Sequence, residues 1–451
     1  MEKVKMALVG CGGMGTRHLY GVRELVQSPF NNVELVALCD IRRENVELAA
    51  NEAEELLDSK PATFTDIGEM AKAIPDLVMV DVVTDPSVHH TVVCQALDLG
   101  LHVLVEKPLA ITVVACRQMI DAAKRNKRLL SVAENYRRDP SARLVRHLID
   151  SGVIGTPYMG LFHSVRPGNS IFITPWRHLI DKGGPLIDMG VHFTDLIRYQ
   201  LGDIKEVYGD ARLIEPVRQK QESIGDHYTF YQQRHKAMDR EVPATAEDSS
   251  LAVFKMESGA TVSWIVNIGG HGSAGAQLIL GDKGCIEGWG NRGGSARLKV
   301  AGQEDVRYEQ LLAEYKEFQI EPLAEYFFPQ RSTLGDKAVD WKIIALEQYE
   351  LAEAILNGRQ LEVDGAEGLK DVAAVYAICE SFDTMTTPQP YRHGSHTAFE
   401  ALNHMSRERP GQFDLRILSN FIRMMGGNLQ PKTNGTPVNE SNGSLVIVRS
   451  R

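Results

Sequence analysis

A short apolar run, Val4 to Val9, passes directly into Gly10-Cys11-Gly12-Gly13-Met14-Gly15, and a helical pattern begins near Thr16. Strand, glycine-rich turn and helix in that order constrain a fold strongly. The first glycine makes the tight turn, the second lets backbone approach a pyrophosphate, and the third lets the helix pack close to the strand. The helix N-terminus then offers free N–H groups and a positive dipole end to an anion. Alone the pattern is weak, because glycine-rich turns are common. It gains weight from the next apolar run, Val33 to Cys39, which ends in Asp40. A carboxylate there can accept both ribose hydroxyls of an adenosine and repels a 2′-phosphate. The expected cofactor is therefore NAD rather than NADP. Arg42 and Arg43 follow at once; either they sit on a helix surface, or they reach a 2′-phosphate.

Strand-like and helical stretches continue to alternate. Val46–Leu57 is a predicted helix, Leu77–Val83 a strand, His89–Leu99 a helix, Val103–Val105 a strand, Ile111–Asn126 a helix and Leu129–Ala133 a strand. That alternation implies a doubly wound parallel sheet with helices on both faces, a Rossmann domain over residues 1–140. Ligands bind beyond the carboxyl ends of such strands. Two turns fall on that rim. Thr84-Asp85-Pro86 follows one strand and also reads as a helix N-cap. Glu106-Lys107-Pro108 follows another, and Pro108 pushes Lys107 toward an extended backbone. By itself Lys107 reads as a solvated lysine paired with Glu106.

With 451 residues, two or three domains are expected. A net charge of −10 without a basic stripe excludes nonspecific nucleic-acid binding. No apolar run of about 18 residues suggests a membrane span, and Met1-Glu2-Lys3 leads into a strand without a secretory pattern. The six cysteines are scattered, which suits reduced thiols and a cytoplasmic location.

At this point residues 4 to about 140 resemble the glucose–fructose oxidoreductase, inositol dehydrogenase and MocA family. The resemblance is carried by the glycine turn, by Val83-Thr84-Asp85-Pro86-Ser87-Val88-His89, and by Gly100-Leu101-His102-Val103-Leu104-Val105-Glu106-Lys107-Pro108-Leu109-Ala110. Asn135-Tyr136-Arg137-Arg138-Asp139-Pro140 resembles the family's segment linking its two domains. The resemblance implies a cofactor set of Gly10, Gly12, Gly13, Met14, Gly15, Asp40, Arg42, Thr84, Asp85, Pro86, His89, Glu106 and Lys107. Asp85 departs from the family, which more often carries proline or a small neutral residue there.

After a crossing helix, Ser141–Asp150, the pattern turns to strands: Tyr158–Val165, Ile204–Leu213, Ser249–Met256, Ala260–Ile268 and Gln277–Leu280. Such a run indicates an α+β domain, residues 141–381, with an open, mainly antiparallel sheet. Between its first two strands lies Lys182-Gly183-Gly184-Pro185-Leu186-Ile187-Asp188-Met189-Gly190-Val191-His192-Phe193-Thr194-Asp195. Asp188, His192 and Asp195 share one helix face. An isolated pair of this kind is most often a cap or a satisfied core histidine. It resembles the family's other signature, with Lys182 replacing its first glycine and Pro185 standing where alanine is usual.

The catalytic set implied is Lys107, Asp188 and His192. His192 would take a hydroxyl proton, Lys107 would stabilise the oxygen, and Asp188 would bind a neighbouring hydroxyl or orient the histidine. Asn135, Tyr136, Arg137, Trp176 and Arg177 complete the implied substrate contacts, with Tyr136 the alternative base. Asp188 and His192 lack a third ligand for zinc, so no metal is expected. The implied function is NAD-dependent oxidation of a ring hydroxyl on a sugar, glycoside or cyclitol. The alternative is a glycosidase or lyase that oxidises the ring transiently, eliminates an aglycone and recycles its cofactor. A regulatory protein without catalysis is the third class, disfavoured by the intact catalytic set. A homodimer or homotetramer is expected, because the second sheet needs cover on its far face.

Residues 215–243 form an insertion whose His227, Tyr228, Tyr231, Arg234, His235 and Lys236 suit a hydroxylated or acidic ligand. It is expected to border the substrate pocket, here or in a neighbouring subunit, and to leave cofactor binding unaltered; a surface loop is the alternative. Trp341–Asn357 and Asp364–Ser381 read as helices and resemble the family's closing helices, within the second domain. The C-terminal extension, 382–451, carries a helical stretch, Phe413–Met425, and a strand-like end, Ser444–Val448, which is either a frayed tail or an arm onto another subunit.

Overall fold

Strands rich in Val, Leu and Ala with both faces apolar form sheets only where helices cover both sides. In the computed structural model, which describes residues 3–222, 229–290, 296–380, 427–431 and 445–449, six such strands pair in parallel. They are β1 (Val4–Val9), β2 (Val33–Cys39), β3 (Ala62–Phe64), β4 (Met79–Val82), β5 (His102–Glu106) and β6 (Leu130–Ala133), in the order β3-β2-β1-β4-β5-β6. The order reverses between β1 and β4, so the ligand crevice of such a sheet opens at their carboxyl ends. The intervening helices are α1 (Gly13–Gln27), α2 (Arg43–Leu57), α3 (Ile67–Ala73), α4 (His89–Asp98) and α5 (Val113–Asn126). The doubly wound sheet is as the alternation implied. The short edge strand β3 and helix α3 were not foreseen, because three strand residues with Ala62 and Thr63 exposed carry no periodic signal.

A connecting helix, α6 (Pro140–Asp150), leads to a second sheet of eight strands. They are β7 (Pro157–Val165), β8 (Ile204–Arg212), β11 (Ser249–Met256), β12 (Thr261–Asn267), β13 (Ala274–Gly281), β14 (Gly284–Glu287), β15 (Arg297–Val300) and β16 (Val306–Arg307), ordered β16-β15-β14-β13-β7-β12-β11-β8. Only the β7–β12 pairing is parallel. Alternation puts Phe162, Phe254 and Trp264 on a buried inner face, which covers helix α7 (Gly184–Leu201). Gly190 makes that approach possible: a Cβ there would lie 3.0 Å from Val375 and 3.5 Å from the Trp264 ring. The insertion contributes a small sheet, β9 (Val217–Gln219) with β10 (Glu241–Pro243), and between them α8 (Thr229–Ala237). His227, Tyr228 and the Arg234 side chain lie outside the described residues.

Downstream lie α9 (Tyr308–Glu314), α10 (Pro322–Phe327), α11 (Val339–Asn357) and α12 (Gly365–Glu380). Here the expected grouping needs correction. Helix α11 was assigned to the second domain, yet it packs along α1, where Gly21 would set a Cβ 2.6 Å from Ile344. Ile343, Ala345, Leu346 and Leu351 share one core with Leu19, Val22 and Leu25. A helix apolar on most of its circumference does not announce which layer it joins. Residues Met1–Ile378 form one compact unit and Cys379–Arg451 another. In the latter, β17 (Gly427–Pro431) pairs antiparallel with β18 (Leu445–Arg449), so the strand-like end is a strand; Phe413–Met425 lies outside the described residues.

Candidate active site

The carboxyl end of β1 turns sharply at Gly10, whose φ is +102° and where a side chain would meet the Val83 carbonyl oxygen at 2.4 Å. Gly12 precedes α1, whose first turn has no side-chain cap, so its N–H groups face outward for an anion. Gly15 lets the helix close on the turn, since a Cβ there would lie 2.1 Å from the Gly10 oxygen. Asp40, at the end of β2, accepts hydrogen bonds from Cys11 N at 2.8 Å, Arg42 N at 2.8 Å and Asn45 Nδ2 at 3.3 Å. The carboxylate is thus aimed by its own neighbours before any ligand arrives.

A cavity of about 1190 Å³ runs from this turn into the second domain. Gly10, Gly12, Gly13, Met14, Asp40, Arg42, Thr84, Asp85, Pro86, Glu106, Lys107, Asn135 and Tyr136 line it from the first domain, and Trp176, Arg177, Asp188 and His192 from the second. Thr84 Oγ1 and Asn135 Oδ1 are buried with no hydrogen-bond partner among the described residues. Orphaned polar atoms in a cleft are expected where a ligand supplies the partner, so the cradle fits a dinucleotide.

Lys107 Nζ donates to the Asp188 carbonyl at 2.9 Å and to Asp188 Oδ1 at 3.1 Å. Arg177 Nε donates to Asp188 Oδ2 at 3.0 Å, and its guanidinium stacks on Trp176 at 4.4 Å. Burial works against the Asp188 charge, but the two cations outweigh it and hold the carboxyl well below the usual range. His192 is engaged otherwise: its Nδ1 lies 2.7 Å from Glu134 Oε1, and Tyr136 stacks on the ring at 4.2 Å and 6°. Glu134 is 2% exposed. Despite burial, its carboxyl is lowered by the imidazole beside it. With Nδ1–H donated to a carboxylate, Nε2 is the acceptor nitrogen.

Three expectations change. His89 does not reach the cavity: it is fully buried, with ring nitrogens 2.9 Å from the Pro108 oxygen and 3.1 Å from the Thr84 oxygen, and it ties the two rim turns together. Arg137 is no substrate contact; its guanidinium is buried against Asp195, with Nε 2.9 Å from Oδ2. A buried arginine needs a carboxylate, and this one finds it about one turn beyond His192 on α7. The insertion does reach the cofactor cleft: the Tyr231 ring sits where a Gly13 Cβ would be, 2.4 Å from Cζ. His235 instead binds the Gln221 carbonyl at 2.9 Å, and Lys236 is exposed. Glu134 was missed, although it directly follows β6 on the same rim as Asp40 and Glu106. That rim position was the available signal.

Residues 4–134 match the model of an oxidoreductase family with an NAD-binding Rossmann fold, and residues 142–287 match the GFO/IDH/MocA C-terminal domain. The chain belongs to the Gfo/Idh/MocA oxidoreductase family. Within it, the chain is 30% identical to the D-apiose dehydrogenase of Paraburkholderia graminis over 204 residues, 45% of this chain and 51% of that one. It is 28% identical to the D-glucoside 3-dehydrogenase of Escherichia coli over 204 residues, 44% and 54%. The match thus spans about half the length of these curated relatives. A levoglucosan dehydrogenase solved with NADH and levoglucosan shares the fold at a TM-score of 0.65 and 22% identity, over 84% of this chain and 96% of that one.

Proposed function

We propose that this Gfo/Idh/MocA protein is an NAD-linked dehydrogenase that oxidises a ring hydroxyl of a sugar, glycoside or cyclitol. The observation that carries the reading is the single cavity shared by the glycine turn with Asp40 and by Lys107, Asp188 and His192. Bound NAD would supply the hydride acceptor. Asp40 favours its 2′-hydroxyl, while Arg42 on the same wall is the residue through which NADP could still be held. His192 Nε2 takes the hydroxyl proton, and Glu134 keeps Nδ1 protonated and stabilises the imidazolium that forms. Lys107 stabilises negative charge on the reacting oxygen. Asp188, ionised between Lys107 and Arg177, holds both cations in place and accepts a neighbouring hydroxyl. The dehydrogenase names of the relatives support the reaction class.

The protein works in this reading as a homo-oligomer in the cytoplasm, where its six free thiols would stay reduced. The deciding measurement is a screen of glycosides and cyclitols for stoichiometric NADH release. Product without net NADH would favour transient oxidation and elimination. His192→Ala is expected to lower turnover by roughly 10²–10⁴-fold at nearly unchanged cofactor affinity. Wild-type turnover in that variant would remove the base role from His192.

A further inference from the structure

Two side chains of the second domain cross the cleft and grip the first domain at separate points. Tyr231, on α8 of the insertion, is 6% exposed, and its ring presses on Gly13. A Cβ on Gly13 would lie 2.4 Å from Cζ and 2.7 Å from the hydroxyl oxygen. The Arg17 guanidinium lies 5.3 Å from the ring centroid and is itself held by Asp340 of α11 at 3.4 Å. Gly13, Arg17, Tyr231 and Asp340 all line the cavity that Asp40 and Thr84 line. Lys182, in the turn that enters α7, makes the second grip. Its Nζ lies 2.9 Å from Ser87 Oγ and 3.4 Å from Asp85 Oδ2, on the turn after β4. Lys182 and Asp85 thus form an ion pair across the cleft.

We propose that Tyr231 and Lys182 are cofactor-site residues supplied by the second domain, closing over the dinucleotide at its phosphate turn and at the Thr84–Ser87 turn. This rests on the dinucleotide reading above. The base of the Tyr231 strap is anchored: Arg218 on β9 is fully buried, paired with Asp248 and donating to the Ile268 oxygen at 2.9 Å. Its Tyr231 ring meets the first domain at Gly13 and Arg17. The Lys182 pair is about one-third exposed on both partners, so each grip opens at small cost while the two together must open in the same event. Cofactor then binds before substrate, and its departure is slowed by both straps. Neither residue bonds to Lys107, Asp188 or His192, so the effect falls on cofactor exchange, not on proton transfer.

The test is stopped-flow fluorescence of NADH displaced by excess NAD, on the full chain without substrate. Tyr231→Ala is expected to release NADH about tenfold faster or more, Lys182→Ala to have a smaller effect, and the double variant to exceed both. Tyr231→Phe, which keeps the ring, is expected to release at the wild-type rate, separating the roof from general damage to the fold. Unchanged release in Tyr231→Ala and in the double variant would overturn the straps. So would tighter binding in Tyr231→Ala, which would show the ring occupying the phosphate seat. A wild-type protein that binds neither NADH nor NADPH would overturn the dinucleotide reading and the straps with it. Wild-type binding with unaltered variants would overturn the straps alone.

Discussion

At the residue scale the site turns on which carboxylate serves which cation. Asp188 and His192 stand four apart on α7, and the family resemblance implies that Asp188 binds a neighbouring hydroxyl or orients the histidine. The side chains divide otherwise: Asp188 takes Lys107 and Arg177, while Glu134, directly after β6, takes His192 Nδ1. The consequence is testable. In Glu134→Gln the amide can donate to Nδ1, which moves the ring proton to Nε2 and removes the lone pair that accepts the hydroxyl proton. Turnover is expected to fall roughly 10²–10⁴-fold, by analogy with tautomer loss in catalytic triads, while NADH affinity stays at its wild-type value. A structural role would instead lower affinity and stability together. Wild-type turnover with an unmoved acid limb in the pH profile would exclude Glu134 from the proton path. None of this pairing is visible in spacing, because it joins residues 58 positions apart.

At the element scale, what could be read from sequence was periodic. Strands β1, β2, β4, β5 and β6 and the helices between them follow from apolar runs and turns. The short strands β3, β14, β15 and β16 do not: they run for two to four residues without the mostly apolar composition that marks β4 and β6. The placement of α11 was also hidden, and a buried charge network shows why it belongs where it is. His18 of α1 sits between Asp81 of β4, at 2.8 Å, and Glu106 of β5, at 3.1 Å; Gln348 of α11 donates to Asp81 at 2.9 Å. Burial opposes the imidazolium, but the two carboxylates prevail and raise its pKa from 6.5 to about 10. Because the folded value lies above the unfolded one, the stabilisation is complete below about pH 6.5 and is lost as pH rises through about 10. The amount at stake is on the order of 5 kcal/mol. Urea unfolding across that window should show wild-type stability falling toward that of His18→Gln. A constant difference between the two proteins would mean that His18 is neutral in the fold.

On the scale of the whole molecule, the second sheet buries one face, and among the described residues its other face carries exposed apolar side chains. Phe162, Ser164 and Gln277 point inward and line the cavity. Strand alternation then sends Leu161, Val253 and Ile265 outward beside Leu251, which is 54% exposed, with Met159 at 39%. An apolar sheet face of this kind marks an association surface. A second copy of this chain is the simplest cover, since a twofold axis lets one patch complement itself. Light scattering at micromolar concentration is therefore expected to find a homodimer or homotetramer. Leu251→Asp should raise its dissociation constant about a hundredfold or more, because burying an unpaired carboxylate costs several kcal/mol. NADH affinity should survive the substitution, because Leu251 is on the face away from the cavity. A monomeric wild-type protein would end the proposal outright. A Leu251→Asp oligomer of undiminished stability would move the interface to another surface and leave this face as solvent-exposed sheet.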